Sequence, residues 1–189
     1  MRLVICLASV LFFVPVPTIT AADSVGVATP APIPTRKQKL DSLFVDLKKA
    51  KTPAAGEGIA RRINEEWADS GSASINLMMQ WANQAIETRS YPVAMDFLDQ
   101  VVVLQPKYAE GWNRRATLHF IMNNYSKSMA DIERTLKLEP RHFGALSGMG
   151  MILLTYEKKE LALKAYRKAL DVHPMMRDVQ QTVGGLEDE

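Results

Sequence analysis

Leu136-Lys137-Leu138-Glu139-Pro140-Arg141-His142-Phe143-Gly144-Ala145-Leu146 decides the fold, because its proline has a counterpart one period away on each side. Val102-Val103-Leu104-Gln105 runs into Pro106, and Leu170-Asp171-Val172-His173 runs into Pro174, as Leu136 to Glu139 runs into Pro140. The three prolines (106, 140, 174) stand 34 residues apart. Self-similarity at this period marks stacked helix pairs, none of which can bury its apolar face alone. Small residues recur with the prolines: Ala82, Ala116 and Gly150 on the first helix of each unit, and Ala94, Ser128 and Ala162 on the second. They let paired helices approach closely, while large residues fill the grooves beside them. The fold class is all-α, a solenoid of antiparallel helix pairs closed by capping helices at both ends.

Working outward, the units are 75–108, 109–142 and 143–176. Before them, 36–74 predicts a helical hairpin. Leu40, Leu43, Phe44 and Leu47 share one helix face, and Ile59, Ile63 and Trp67 share another. Residues 41–74 fall where a preceding repeat would sit, but Lys48 replaces the expected small residue, so the hairpin is read as a degenerate capping repeat. After them, 177–189 forms a cap helix and tail, with Val179, Val183 and Leu186 spaced for one face.

The N-terminus has the layout of an export signal. Arg2 is followed by an apolar run over 3–14, then Pro15 and Pro17, then Thr20-Ala21-Ala22 before Asp23. This predicts a signal peptide over 1–22, cleaved after Ala22, and a periplasmic protein. The alternative is an uncleaved anchor, although the run is short against the roughly 20 residues of a spanning helix. Residues 23–35 hold Pro30, Pro32 and Pro34 among small residues and read as a disordered linker. The chain of 189 residues has a formal net charge of +2, too small to favour nucleic acid or an anionic membrane. Its one cysteine, Cys6, lies in the expected leader, which excludes a disulfide framework and a thiolate metal site from the mature chain.

The repeat positions also carry a resemblance. Unit 109–142 has Trp112, Ala116, Tyr125, Ser128, Ile132 and Pro140. Unit 143–176 has Leu146, Met149, Gly150, Leu153, Ala162, Tyr166, Ala169 and Pro174. Unit 75–108 has Met78, Trp81, Ala82, Ala85, Tyr91, Ala94, Leu98 and Pro106. These resemble the tetratricopeptide repeat (TPR) family, whose pattern runs W-x2-L-G-x2-Y, then A-x3-F, then P. Trp112-Asn113-Arg114-Arg115-Ala116-Thr117, together with the stretch from Glu139 to Leu146, is similar to small exported TPR proteins of Gram-negative bacteria, especially alphaproteobacteria. Two departures stand out: Arg115 where the family usually has Leu, and His119 where it usually has Tyr. A cation near a packed helix contact needs a partner, and Asp99, Asp131 and Glu133 are the candidates.

No catalytic constellation emerges. His119, His142 and His173 are far apart in sequence, and no phosphate loop, nucleophile elbow, dinucleotide fingerprint or zinc spacing occurs. His142 and His173 read as caps near helix C-termini, and metal binding is the weaker alternative. Gly148 and Gly150 read as helix packing and not as a phosphate loop. The sequence predicts no cofactor and no enzyme.

By the TPR resemblance, the first helix of each pair lines a concave face. That implies a partner-binding groove of Asn76, Met79, Asn83 and Ile86, then Asn113, Arg114, Thr117 and Phe120, then Gly144, Ser147, Met151 and Leu154. The lysines with which some family members clamp a C-terminal carboxylate are missing, since Met79 and Gly144 stand in their places. The expected function is a non-enzymatic envelope scaffold that binds a protein or peptide, with no nucleic acid and no membrane span after signal cleavage. The competing readings are an anchored or self-associating structural protein and an enzyme of unknown type.

Overall fold

The computed structural model describes residues 34–188. The expected leader, and the linker before Pro34, lie outside the described residues. Among the described residues there are nine helices and no strand. They are α1 Arg36–Lys49, α2 Pro53–Ala68, α3 Ala73–Glu87, α4 Tyr91–Leu104, α5 Ala109–Ile121, α6 Tyr125–Leu138, α7 Phe143–Thr155, α8 Lys159–Val172 and α9 Arg177–Glu187. None of them is long and apolar enough to cross a membrane.

Local chemistry sets the boundaries. Thr35 and Gln38 form a reciprocal capping box at the start of α1. Thr52 caps α2 and Pro53 occupies its first turn, where the missing N–H costs nothing. Inside each repeat the turn between helices is built alike. Arg89, Asn123 and Glu157 lie 34 residues apart (89, 123, 157) and all have positive φ, at 58°, 60° and 56°. Ser90 N–H donates to Ala85 O and Arg89 N–H to Ile86 O, the paired bonds of a Schellman ending. The same two bonds recur at Asn124 and Asn123, and at Lys158 and Glu157.

The pairs α3–α4, α5–α6 and α7–α8 stack in order, and α9 packs on α8 through Val179 and Val183 against Ala162 and Tyr166. The six small residues named above are all buried. Ser128 also uses its hydroxyl, donating to Ala116 O across the α5–α6 contact at 2.8 Å. Gly150 leaves room for Tyr166, whose ring would lie 2.6 Å from an added Cβ. Arg115 finds two of its three candidate partners: it forks onto Asp131 at 2.7 and 2.8 Å and reaches Asp99 at 2.8 Å. His119 is buried, and burial holds its pKa below the usual histidine value despite the Asp131 charge.

The N-terminal hairpin departs from the expected register. It does not stack in front of α3–α4 as a preceding repeat would. It lies across the turns that join successive repeats. Leu43, Phe44 and Leu47 of α1 and Ile63 and Trp67 of α2 bury against Phe143, with Val172 and Met176 alongside. The proline turns supply the polar links: Gln105 donates to Ser70 O, Tyr108 Oη to Ala68 O, and Arg141 to Asp41. Gly56 admits Met175, whose Cβ would lie 2.8 Å from an added Cβ. The physical reason lies in the side chains. Lys48, at the place meant for a small residue, is exposed, whereas Trp67 packs its ring between those of Phe44 and Phe143.

Candidate interaction groove

α5 and α7 run side by side on the inner face of the second and third repeats, and a groove of about 270 Å³ opens between them. Asn113, Thr117 and Phe120 face it from α5, and Ser147 and Met151 from α7. Gly144 and Gly148 make the space. A Cβ at Gly148 would meet Ile132 at an ordinary 3.5 Å, so these glycines are not forced by a clash. Their missing side chains leave the groove open. Ala116, Ser128 and Ile132 also line it, and Met176 closes one side.

Beside the groove sits a buried polar link. His142, the residue before α7, is its N-cap: Nδ1 accepts from the Ala145 N–H at 3.1 Å. The ring proton is therefore on Nε2, which donates to Glu110 at 3.1 Å. Trp67 of the hairpin stacks on the imidazole, with centroids 4.1 Å apart and planes 8° from parallel. Burial pushes the Glu110 carboxyl up, but the hydrogen bond from His142, the Arg114 charge and the Asn113 hydrogen bond outweigh it. The net pKa lies below the usual carboxylate value. Stability from this group is therefore present above the unfolded carboxylate pKa and is lost as pH falls through the depressed folded value.

The expected groove residues divide. Asn113, Thr117, Phe120, Ser147 and Met151 come together around one cavity. Asn83 and Arg114 are half-buried outside its lining, and each keeps a buried polar atom, Asn83 Oδ1 and Arg114 Nε, without a hydrogen bond. Arg114 also pairs with Glu110 at 3.0 Å. Two expectations are corrected. Met79 is buried in a core cluster with Ile75, Ala82, Leu98 and Tyr108, because this part of the inner face is packed and not open. Asn76 is consumed by the α2–α3 connection, accepting from the Ser70 N–H and hydroxyl and donating to Asp69. Of the two histidine caps one is corrected: His142 caps the N-terminus of α7. His173 is the C-cap of α8 through its backbone N–H, which donates to Ala169 O, while its ring leaves Nδ1 buried without a bond. Sequence reading missed Glu110 and Trp67 as neighbours of the groove. The position of His142, directly before an apolar helical run, was the one local signal for its role.

Among the described residues, no group of three or more His, Cys, Asp or Glu side chains could hold a metal ion. No family model matches the chain. A TPR repeat-containing protein of Rhizobium etli is 49% identical over 183 residues, covering 97% of this chain and 90% of that one. The chain belongs to the tetratricopeptide repeat family. Small glutamine-rich tetratricopeptide repeat-containing protein 2 of Saccharomyces cerevisiae is 28% identical over 116 residues, covering 61% of this chain and 33% of its own length. Among solved structures, the first TPR of Spaghetti (RPAP3), bound to the HSP90 peptide SRMEEVD, is similar at a TM-score of 0.58 and 18% identity. That match covers 60% of this chain and 90% of the other. The fold is thus a TPR-type solenoid, an architecture suited to protein–protein interaction.

Proposed function

We propose that this TPR protein is a non-enzymatic scaffold of the cell envelope that holds a peptide or helix of a partner protein in the groove between α5 and α7. The observation that carries the reading is the cavity itself: five predicted groove residues from two repeats surround it, and two helical glycines keep it open. Glycine inside a helix costs roughly 0.5–1 kcal/mol relative to alanine, so two of them facing one cavity favour a use for the space. Met151 offers a thioether that adapts to varied side chains, and Asn113 offers an amide able to pair with a peptide backbone. The similar TPR domain bound to the peptide SRMEEVD supports a peptide as the occupant. That peptide ends in a carboxylate-rich tail, whereas here Met79 is packed away and Gly144 has no side chain. The groove therefore suits an uncharged segment better than an acidic C-terminus.

Peptides selected by display against the folded domain test this reading. They are expected to lose at least about tenfold in affinity when Thr117→Arg and Ser147→Arg are combined, with the melting temperature nearly unchanged. Selected peptides that bind the double variant as tightly as the parent protein would remove the groove from consideration. The envelope location rests on the leader-like residues 1–22. Edman sequencing of the exported protein should begin at Asp23 if that reading holds, and at Met1 if the segment is retained as an anchor.

Self-association is the second reading, and one observation favours it. Because the hairpin lies elsewhere, Leu77, Trp81 and Val93 of the first repeat are left 42%, 44% and 48% exposed.

A further inference from the structure

The outer side of the third repeat carries another groove, between α6 and α8 and about 760 Å³ in volume, floored by the outward face of α7. Its chemistry is clearest beside the same place one repeat earlier. There Arg115 reaches from α5 to Asp99 on α4 and to Asp131 on α6, with its guanidinium 4.9 Å from the Trp112 ring centre. An ionic bridge closes that cleft. One repeat later the counterparts of Arg115, Asp131 and Trp112 are Met149, Ala165 and Leu146 (149, 165 and 146, each 34 further on). No bridge can form, and the cleft stays open over an apolar floor. Its rim is apolar too, with Leu161 51% and Tyr156 52% exposed.

The two banks differ in charge. The α8 bank carries Lys158, Lys164 and Lys168, none with a carboxylate partner among the described residues. The α6 bank carries one carboxylate, Glu133, the counterpart of Asp99. We propose that this outer groove docks an amphipathic helix whose apolar ridge covers the Leu146–Met149 floor and whose flank toward α8 is acidic. Lys158 to Lys168 spans about 15 Å along the helix axis, room for about three turns of a partner helix. Apolar anchors at i, i+3 or i+4, and i+7 would meet the floor, and the lysine bank would select the acidic flank. The site lies on the opposite face of α7 from the α5–α7 groove and is independent of it.

The test uses the full chain and two labelled synthetic helices of roughly 18 residues. They share one leucine ridge and differ only in carrying glutamate or lysine on the flank. The glutamate peptide is expected to bind at least about tenfold more tightly than the lysine peptide, to weaken as salt is raised, and to shift the Met149 methyl resonance while leaving Met151 unmoved. Lys164→Glu with Lys168→Glu should reverse the preference between the peptides. Equal binding of both, no binding of either, or a shift confined to Met151 would overturn the proposal. So would sedimentation showing that two copies of the chain already cover this groove. The comparison on the unmodified protein decides the matter even if the charge-reversed variant folds poorly.

Discussion

Replacing Trp67 with alanine is expected to destabilise the protein by about 3–5 kcal/mol, the usual range for truncating a buried large aromatic side chain. Trp67 is buried between the two parts of the molecule. On one side it meets Phe44 at 5.8 Å, and on the other Phe143 at 5.2 Å and His142 at 4.1 Å. Trp67 thus joins α1, α2 and the α7 N-terminus, and the hole left by alanine would be lined by rings too stiff to close it. The loss should also be uneven. Hydrogen exchange is expected to show the α1 and α2 amides losing protection first, while α5 to α8 keep theirs, because those repeats are stabilised mainly by their own neighbours. Uniform loss of protection, or a melt unchanged from the parent, would contradict the place given to the hairpin.

That hairpin also shows where sequence reading stops. The period of the prolines carries the stacking of α3 to α8, since every repeat meets its neighbour through residues a fixed distance along the chain. Arg115 was legible for the same reason: Asp99 and Asp131 lie sixteen residues before and after it, within adjacent helices. Trp67 and His142 are 75 positions apart (142 − 67) and follow no period, so nothing in the pattern pairs them. Register alone put the hairpin in the place of a preceding repeat, and shape complementarity with the proline turns decided otherwise. The groove divides along the same line. Positions in α5 and α7 were readable because those helices repeat one geometry. Met79 was not, because its exposure depends on the side chains that pack over the first repeat. Glu110 escaped notice because its partners are a histidine 32 residues on, just before the next helix pair, and an amide and a cation on its own helix.

Gly150→Leu is the sharpest test of the register itself. An added Cβ alone would lie 2.6, 2.7 and 2.8 Å from three carbons of the Tyr166 ring, closer than real side chains approach. Tyr166 is buried between α7, α8 and α9, in a cluster with Val179 and Val183, and cannot swing out without opening α9. Overpacking a well-filled core costs about 1–3 kcal/mol, occasionally more, and a leucine here belongs at or above the upper end. For a domain of this size that is a fall in melting temperature of roughly 10 °C, at about 2–4 °C per kcal/mol. The clash makes the effect graded and reversible in a way that a simple helix-propensity change is not. Alanine improves intrinsic helix propensity by roughly 1 kcal/mol over glycine, so a protein limited by propensity would be stabilised by Gly150→Ala. Steric conflict with the ring predicts the opposite sign. It also predicts that Tyr166→Leu, costly by itself, becomes less costly in the presence of Gly150→Ala, a coupling that a double-mutant cycle measures directly. Additive effects in that cycle, or a stabilised alanine variant, would mean that α7 and α8 do not approach through Gly150.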